Sequence, residues 1–258
     1  MIKFFNYLIY SNIFISLCAC ALYFLFELKG NYNFTISSVL LVFTGTYIGY
    51  HLLRYIPYKK GLFVENEFIT FYETYPVSNS ISFLLALITL TLTALDLSLH
   101  NFLILGICFL LVLSYEKVLF SKFDFRSVPY LKSFFISLVW TLVATCLNGL
   151  PEIIDFLDCY IFILLLCIPF DLKDLESDKA QGIRTLPTIL KEKTPYIISA
   201  LFILYSIYFY HLTSERFFIF APFLFSIFIF LKERRPFLFY LGLDGIIIIR
   251  LLFYLNQN

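Results

Sequence analysis

The chain has 258 residues, of which 60% are hydrophobic and only 14% charged, with 33 Phe, 19 Tyr and a formal net charge of +1. Its mean hydropathy is +0.86, and no soluble domain has enough interior to hide that much apolar surface. A nucleic-acid partner is excluded as well, because Lys and Arg lie in short blocks between apolar runs instead of forming one basic face.

In chain order, the first apolar window covers 4–26. It is longer than the core of a signal peptide, about 7 to 15 residues, and lacks a clear cleavage site, so it is expected to stay in the mature protein as a first span. Further windows follow at 36–56, 79–95, 101–115, 131–147, 153–170, 195–210, 216–231 and 238–255, each near the roughly 20 residues a membrane helix needs. Strands are excluded for such runs unless a closed barrel forms, and the alternating barrel pattern is absent. The expected fold is therefore all-α, a polytopic bundle of about nine transmembrane helices forming one domain over 1–258. The cysteines at 18, 20, 108, 146, 159 and 167 all fall in apolar stretches, without a C-x-x-C pair, and read as small buried hydrophobes.

Orientation follows from the positive charges. With the N-terminus inside, Lys3 and the blocks at 54–60, 117–132, 173–193 and 232–235 are cytoplasmic, which accounts for 16 of the 19 Lys and Arg residues. Lys29 and Arg216 remain outside, and Arg250 sits within the last helix. The C-terminus is then on the opposite side, and the expected location is a prokaryotic plasma membrane. Outer connections are short, whereas the inner ones near 57–78 and 171–194 exceed 20 residues, so function is expected on the inner face.

The chain has eight aspartates, and three of them stand in the run Asp171-Leu172-Lys173-Asp174-Leu175-Glu176-Ser177-Asp178-Lys179. At about 100° per residue the spacing i, i+3, i+7 places these carboxylates within an arc of about 60°, on one face of a helix leaving the sixth span. Like charges so close repel unless a cation joins them. The arrangement suits Mg²⁺, a hard ion held by one or two carboxylates and completed by substrate phosphates, so a diphosphate is the natural partner. The same spacing also fits a solvated acidic helix start, its aspartates favoured by the helix dipole or paired with Lys173 and Lys179.

The residues that follow, Gly182-Ile183-Arg184-Thr185-Leu186-Pro187, add a turn glycine, a cation and a hydroxyl. The whole run from Asp171 to Pro187 resembles the second aspartate-rich motif of the UbiA family of intramembrane prenyltransferases, D-x-x-D-x-x-x-D followed by G-I-x-T-L-P. Tyr115 and the pair Asp244-Gly245 are similar to family residues elsewhere. The resemblance implies a nine-helix bundle and transfer of an isoprenoid chain from a prenyl diphosphate to an aromatic or lipid acceptor. It implies Asp171, Asp174 and Asp178 as catalytic Mg²⁺ ligands. The leaving charge of such a reaction needs electrostatic stabilisation.

The family's first aspartate-rich motif is missing, since no Asp or Glu occurs from 28 to 64. In its place stand Tyr47, His51 and Arg54 at i, i+4 and i+7. Arg54 could hold a phosphate with its fork of donors, or anchor the helix end at the interface. His51 reads as a hydrogen-bonded helix residue and Tyr47 as packing. Lys132, Lys179 and Arg184 are further candidates for holding diphosphate, Lys132 also reading as a plain interfacial lysine. Glu65, Glu67 and Glu73 read as solvated. Two rivals to the enzyme remain: a non-catalytic relative that binds an isoprenoid or quinone or serves as a membrane scaffold, and a transporter. The second is disfavoured because the aspartates lie at the membrane edge and not at its midplane.

Overall fold

A computed structural model describes residues 2–32, 35–59, 67–115, 128–147, 149–180, 182–230 and 236–257. The cationic positions 60, 117, 122, 126, 232, 234 and 235, and Glu65, lie outside the described residues. Among the described residues the secondary structure is helical, without strands. The helices are α1 Ile2–Tyr10, α2 Ile13–Lys29, α3 Ile36–Lys59, α4 Glu67–Thr74, α5 Pro76–Ala94, α6 Leu99–Tyr115 and α7 Leu131–Thr145, followed by α8 Ile153–Lys173, α9 Leu175–Ala180, α10 Leu186–Leu190, α11 Thr194–Thr213, α12 Phe217–Phe230 and α13 Pro236–Leu255.

Every apolar window falls on a helix, with two refinements. The first window is two helices, because Asn12 adopts a left-handed φ of 67° between α1 and α2. Asparagine tolerates that conformation, and here its amide donates to the Tyr72 hydroxyl at 2.8 Å. The inner connections near 57–78 and 171–194 contain the short helices α4, α9 and α10, of which α9 is the helical continuation expected from the aspartate spacing.

Four helical segments are long and apolar enough to cross a bilayer among the described residues: Ile36–Ile56, Pro76–Ala94, Ile153–Lys173 and Leu186–Thr213. Their outer faces carry large apolar side chains, for example Leu84, Leu85 and Leu92 on α5 and Leu204 and Tyr208 on α11. Exposed apolar surface on that scale needs lipid, and the protein is an integral membrane protein. The six cysteines are free; Cys18, Cys108, Cys146 and Cys159 are buried, as expected, while Cys20 and Cys167 are partly buried.

The chain divides into two compact units, one of residues 1–124 with 142–150, the other of 125–141 with 151–258. In the first, α3 packs against α2 and α5, and Tyr47, Ile48 and Ala86 form a buried cluster joined by Phe83 and Leu52. In the second, α11 packs against α8 and α12, and α12 against α13. Water does not drive helices together inside a membrane, so close packing and polar links must do it. The Phe content answers the first need: Phe202 stacks on Phe225 at 4.1 Å, and Phe162 meets Phe217 edge-on at 5.9 Å.

The second need is met by a buried ionic cluster. Arg250 of α13 is wholly buried. Its Nη2 lies 2.6 Å from Asp158 Oδ2 and 3.3 Å from Glu215 Oε2. Its Nη1 donates to the Tyr205 hydroxyl at 3.3 Å, and that hydroxyl donates to Asp158 Oδ1 at 2.6 Å. The guanidinium also lies 4.9 Å from the Phe162 ring centre and 4.8 Å from that of Phe218, within cation–π reach. One group thus ties α8, α11, α13 and the α11–α12 corner.

Candidate functional site

Asp171 stands in the last turn of α8, two residues before its end at Lys173 and two after Pro169, which has no N–H to give the carbonyl behind it. The helix bends at Asp174, whose N–H still donates to Phe170 O at 2.9 Å, and α9 resumes with Asp178 N–H donating to Asp174 O at 2.8 Å. The i, i+3, i+7 face therefore survives the bend.

The turn after α9 is closed by Gly182, at a φ of 72°, with its N–H donating to Lys179 O at 3.0 Å and that of Ile183 to Asp178 O at 2.8 Å. A Cβ at Gly182 would meet nothing within 4 Å, so only the backbone opposes a side chain there. Gly182→Ala is expected to lower stability by about 1 kcal/mol, read as a small downward shift of the unfolding midpoint. A neutral result would mean that the turn relaxes without cost.

Beyond the glycine, the Arg184 carbonyl accepts the Tyr130 N–H at 2.8 Å. Tyr130 has a φ of 66° and leads directly into α7, which sets Lys132 in the first turn of that helix. The Gly-Ile-Arg-Thr run thus positions the lysine through its main chain, while the side chains of Arg184 and Lys179 are exposed.

Lys132 is buried, and its Nζ is 3.0 Å from Asp171 Oδ1, 3.0 Å from Asp178 Oδ2 and 3.4 Å from Asp174 Oδ2. The Ser133 hydroxyl donates to Asp171 Oδ2. Asp171 and Asp178 are buried, whereas the Asp174 side chain is 43% exposed and forms the open edge of the cluster. A plain interfacial lysine would be solvated, so that reading of Lys132 is corrected. Lys173, weighed as a partner of the aspartates, donates to the Tyr240 hydroxyl at 3.0 Å and lies 4.3 Å from that ring's centre.

The sequence did not single out Ser133 or the central place of Lys132. The available signal was their position opening an apolar helix on the same expected side as the acidic run. Among the described residues no group of three or more His, Cys, Asp or Glu side chains is already gathered as a metal cage. What converges is three carboxylates on one ammonium.

Where the first aspartate motif would stand, the first unit has an aromatic packing site. The Arg54 guanidinium donates to Asn12 Oδ1 and lies 3.4 Å from the Phe68 ring centre and 5.0 Å from that of Tyr50. His51 is packed among Phe83, Tyr72 and Tyr55, with ring centres at 4.6, 5.0 and 5.5 Å. Its Nδ1 is buried with no hydrogen-bond partner among the described residues, so the expected hydrogen-bonded histidine is corrected at that nitrogen to a packed ring. Tyr47 is buried in the core, as expected, and Glu67 and Glu73 are exposed. Tyr115 and Asp244 are both buried.

Arg54→Ala is expected to cost about 1.5 to 3 kcal/mol, the range for losing a hydrogen bond to a charged group, seen as a lowered unfolding midpoint. Loss of diphosphate affinity at an unchanged midpoint would instead mark Arg54 as a ligand contact.

No family model and no curated protein matches the chain. Solved structures do. A UbiA homolog from Archaeoglobus fulgidus bound to GPP and Mg²⁺ is 12% identical, with a TM-score of 0.63 over 97% of this chain and 98% of that one. A UbiA homolog from the same organism bound to Cd²⁺ is 17% identical, with a TM-score of 0.55 over 96% of each chain. A structure of digeranylgeranylglyceryl phosphate synthase is 19% identical, with a TM-score of 0.50 over 99% of this chain and 97% of that one. Along nearly its whole length, the chain has the UbiA-type helical membrane fold.

Proposed function

We propose that the protein is a Mg²⁺-dependent, UbiA-type prenyltransferase, a single domain over residues 1–258 that moves an isoprenoid chain from a prenyl diphosphate to a hydrophobic aromatic or lipid acceptor within the bilayer. The observation that carries the reading is the convergence of Asp171, Asp174 and Asp178 on the Lys132 ammonium, in a fold whose solved relatives include one bound to GPP and Mg²⁺.

The donor set is hard carboxylate oxygen, the chemistry Mg²⁺ prefers, with the Asp174 side of the cluster exposed, and it fits the metal once the Lys132 ammonium has moved aside. Asp171, Asp174 and Asp178 would hold Mg²⁺, which when bound neutralises charge building on the leaving diphosphate. Ser133 fixes one oxygen of Asp171 and so orients the carboxylate. Lys132, Lys179 and Arg184 supply positive charge to the diphosphate oxygens. The allylic C–O bond breaks with its electron pair leaving on the diphosphate. The same carbon bonds to the acceptor, which gives up a proton.

The test uses the full chain in detergent or nanodiscs with geranyl diphosphate and a panel of phenolic and lipid acceptors. Mg²⁺-dependent release of pyrophosphate together with a prenylated product is expected, and a chelator should abolish both. Tight binding of the prenyl diphosphate without any release, across the panel, would favour the non-catalytic relative.

The proposed orientation puts the aspartate site in the cytoplasm, with the N-terminus inside, the C-terminus outside and the host a prokaryotic plasma membrane. Reporters fused at Thr185 should be cytoplasmic, and those at Ser98, Leu150 and Thr213 external. The reverse pattern would overturn the orientation and leave the fold untouched.

A further inference from the structure

The point where three carboxylates would gather a divalent ion is taken by an atom of the protein itself. Lys132 Nζ lies 3.0 Å from Asp171 Oδ1 and from Asp178 Oδ2 and 3.4 Å from Asp174 Oδ2. Magnesium–oxygen distances are about 2.0–2.1 Å, and a second cation at the same focus would sit against the ammonium. We infer that Lys132 is a displaceable resident cation: the divalent ion enters only as the ammonium leaves the carboxylates, and the ammonium is drawn off by the incoming diphosphate. Metal and diphosphate then load together, and neither binds well alone. The inference rests on the aspartates being a metal–diphosphate site.

The geometry supplies what the exchange needs. Lysine carries a compact charge on a flexible four-carbon stem, and Asp174, the longest of its three contacts, is also the exposed one, which marks the side toward which the ammonium can move. Ser133 holds Asp171 Oδ2, not the Oδ1 that faces the lysine, so its contact does not depend on the ammonium staying in place. With the ammonium in place the cluster carries two net negative charges, and once the ammonium leaves three carboxylates face the divalent ion. In a chain that lacks a first aspartate motif, a lysine that moves onto the diphosphate supplies positive charge from within the protein.

The experiment is Mn²⁺ binding to the full chain in detergent, read by electron paramagnetic resonance without substrate and with inorganic pyrophosphate. In the parent, Mn²⁺ alone should bind weakly and pyrophosphate should tighten it at least tenfold. In Lys132→Met, Mn²⁺ alone should bind at least tenfold tighter than in the parent, and the gain from pyrophosphate should shrink by a similar factor. Lys132→Met combined with Asp178→Asn carries the same net charge on the cluster as the parent and relieves repulsion if the single variant does not fold. With one carboxylate ligand fewer it should bind Mn²⁺ alone less tightly than Lys132→Met, but still more tightly than the parent, because the ammonium no longer occupies the focus of the remaining carboxylates. If both variants bind Mn²⁺ alone no better than the parent, the displacement inference is overturned. If the parent fails to bind Mn²⁺ even with pyrophosphate, the metal–diphosphate reading falls as well, so the two failures are distinguishable.

Discussion

Replacing Arg250 by leucine is expected to lower the unfolding free energy by about 3 to 5 kcal/mol, the range for breaking a buried ion pair by removing one partner. The cost comes from what is left behind. Asp158 and Glu215 are both buried beside Arg250, and without it two carboxylates would face each other near the Tyr205 hydroxyl in an apolar bundle. Removing those charges too should restore most of the loss, because an apolar or neutral replacement of a whole buried pair is often neutral. The comparison is Arg250→Leu alone against Arg250→Leu with Asp158→Asn and Glu215→Gln, measured by denaturant-induced unfolding in mixed micelles. Equal stability of the single and triple variants would mean that water reaches the carboxylates, and the clasp would then not hold the second unit together.

How much of this was legible in the sequence depends on whether the signal was a period or a partner. Helices α3, α5, α8 and α11 were readable because apolar runs of bilayer length have few other ways to satisfy their backbone. The break at Asn12 was not readable, because it depends on Tyr72 and Arg54, which are distant in sequence. The three aspartates were found from spacing, since one helical face brings i, i+3 and i+7 together whatever surrounds them. Their partner was not: Lys173 and Lys179 were nearer in sequence, but Lys132 reaches the carboxylates from α7, which the Tyr130 to Arg184 backbone hydrogen bond positions. Arg250 stood out only as a charge inside a span. That it meets Asp158 and Glu215 follows from the packing of four segments that no local pattern encodes.

Asp171→Asn should reduce prenyl transfer by about 100-fold or more, the scale on which losing one preorganised electrostatic group at a reacting centre is felt. The change keeps the volume of the side chain and leaves an oxygen for Ser133 or Lys132, so the unfolding midpoint should fall little. What it removes is one of the buried negative charges that faces the cation. Asp178→Asn should behave alike, because Asp178 is equally close to the Lys132 ammonium and is also buried. Asp174→Asn should cost less, since its carboxylate is 43% exposed and its contact with the ammonium is longer, and water can replace part of what it offers. The ranking is what separates a metal site from a stabilising cluster. A structural cluster would lose midpoint in the order of burial while the rate per folded molecule stayed constant. A metal–diphosphate site loses rate in that order while the midpoint stays nearly fixed, and excess Mg²⁺ recovers more activity in Asp174→Asn than in the other two. Activity within a few-fold of the parent in both Asp171→Asn and Asp178→Asn would remove the aspartates from the chemistry and reduce them to a charged clasp on Lys132.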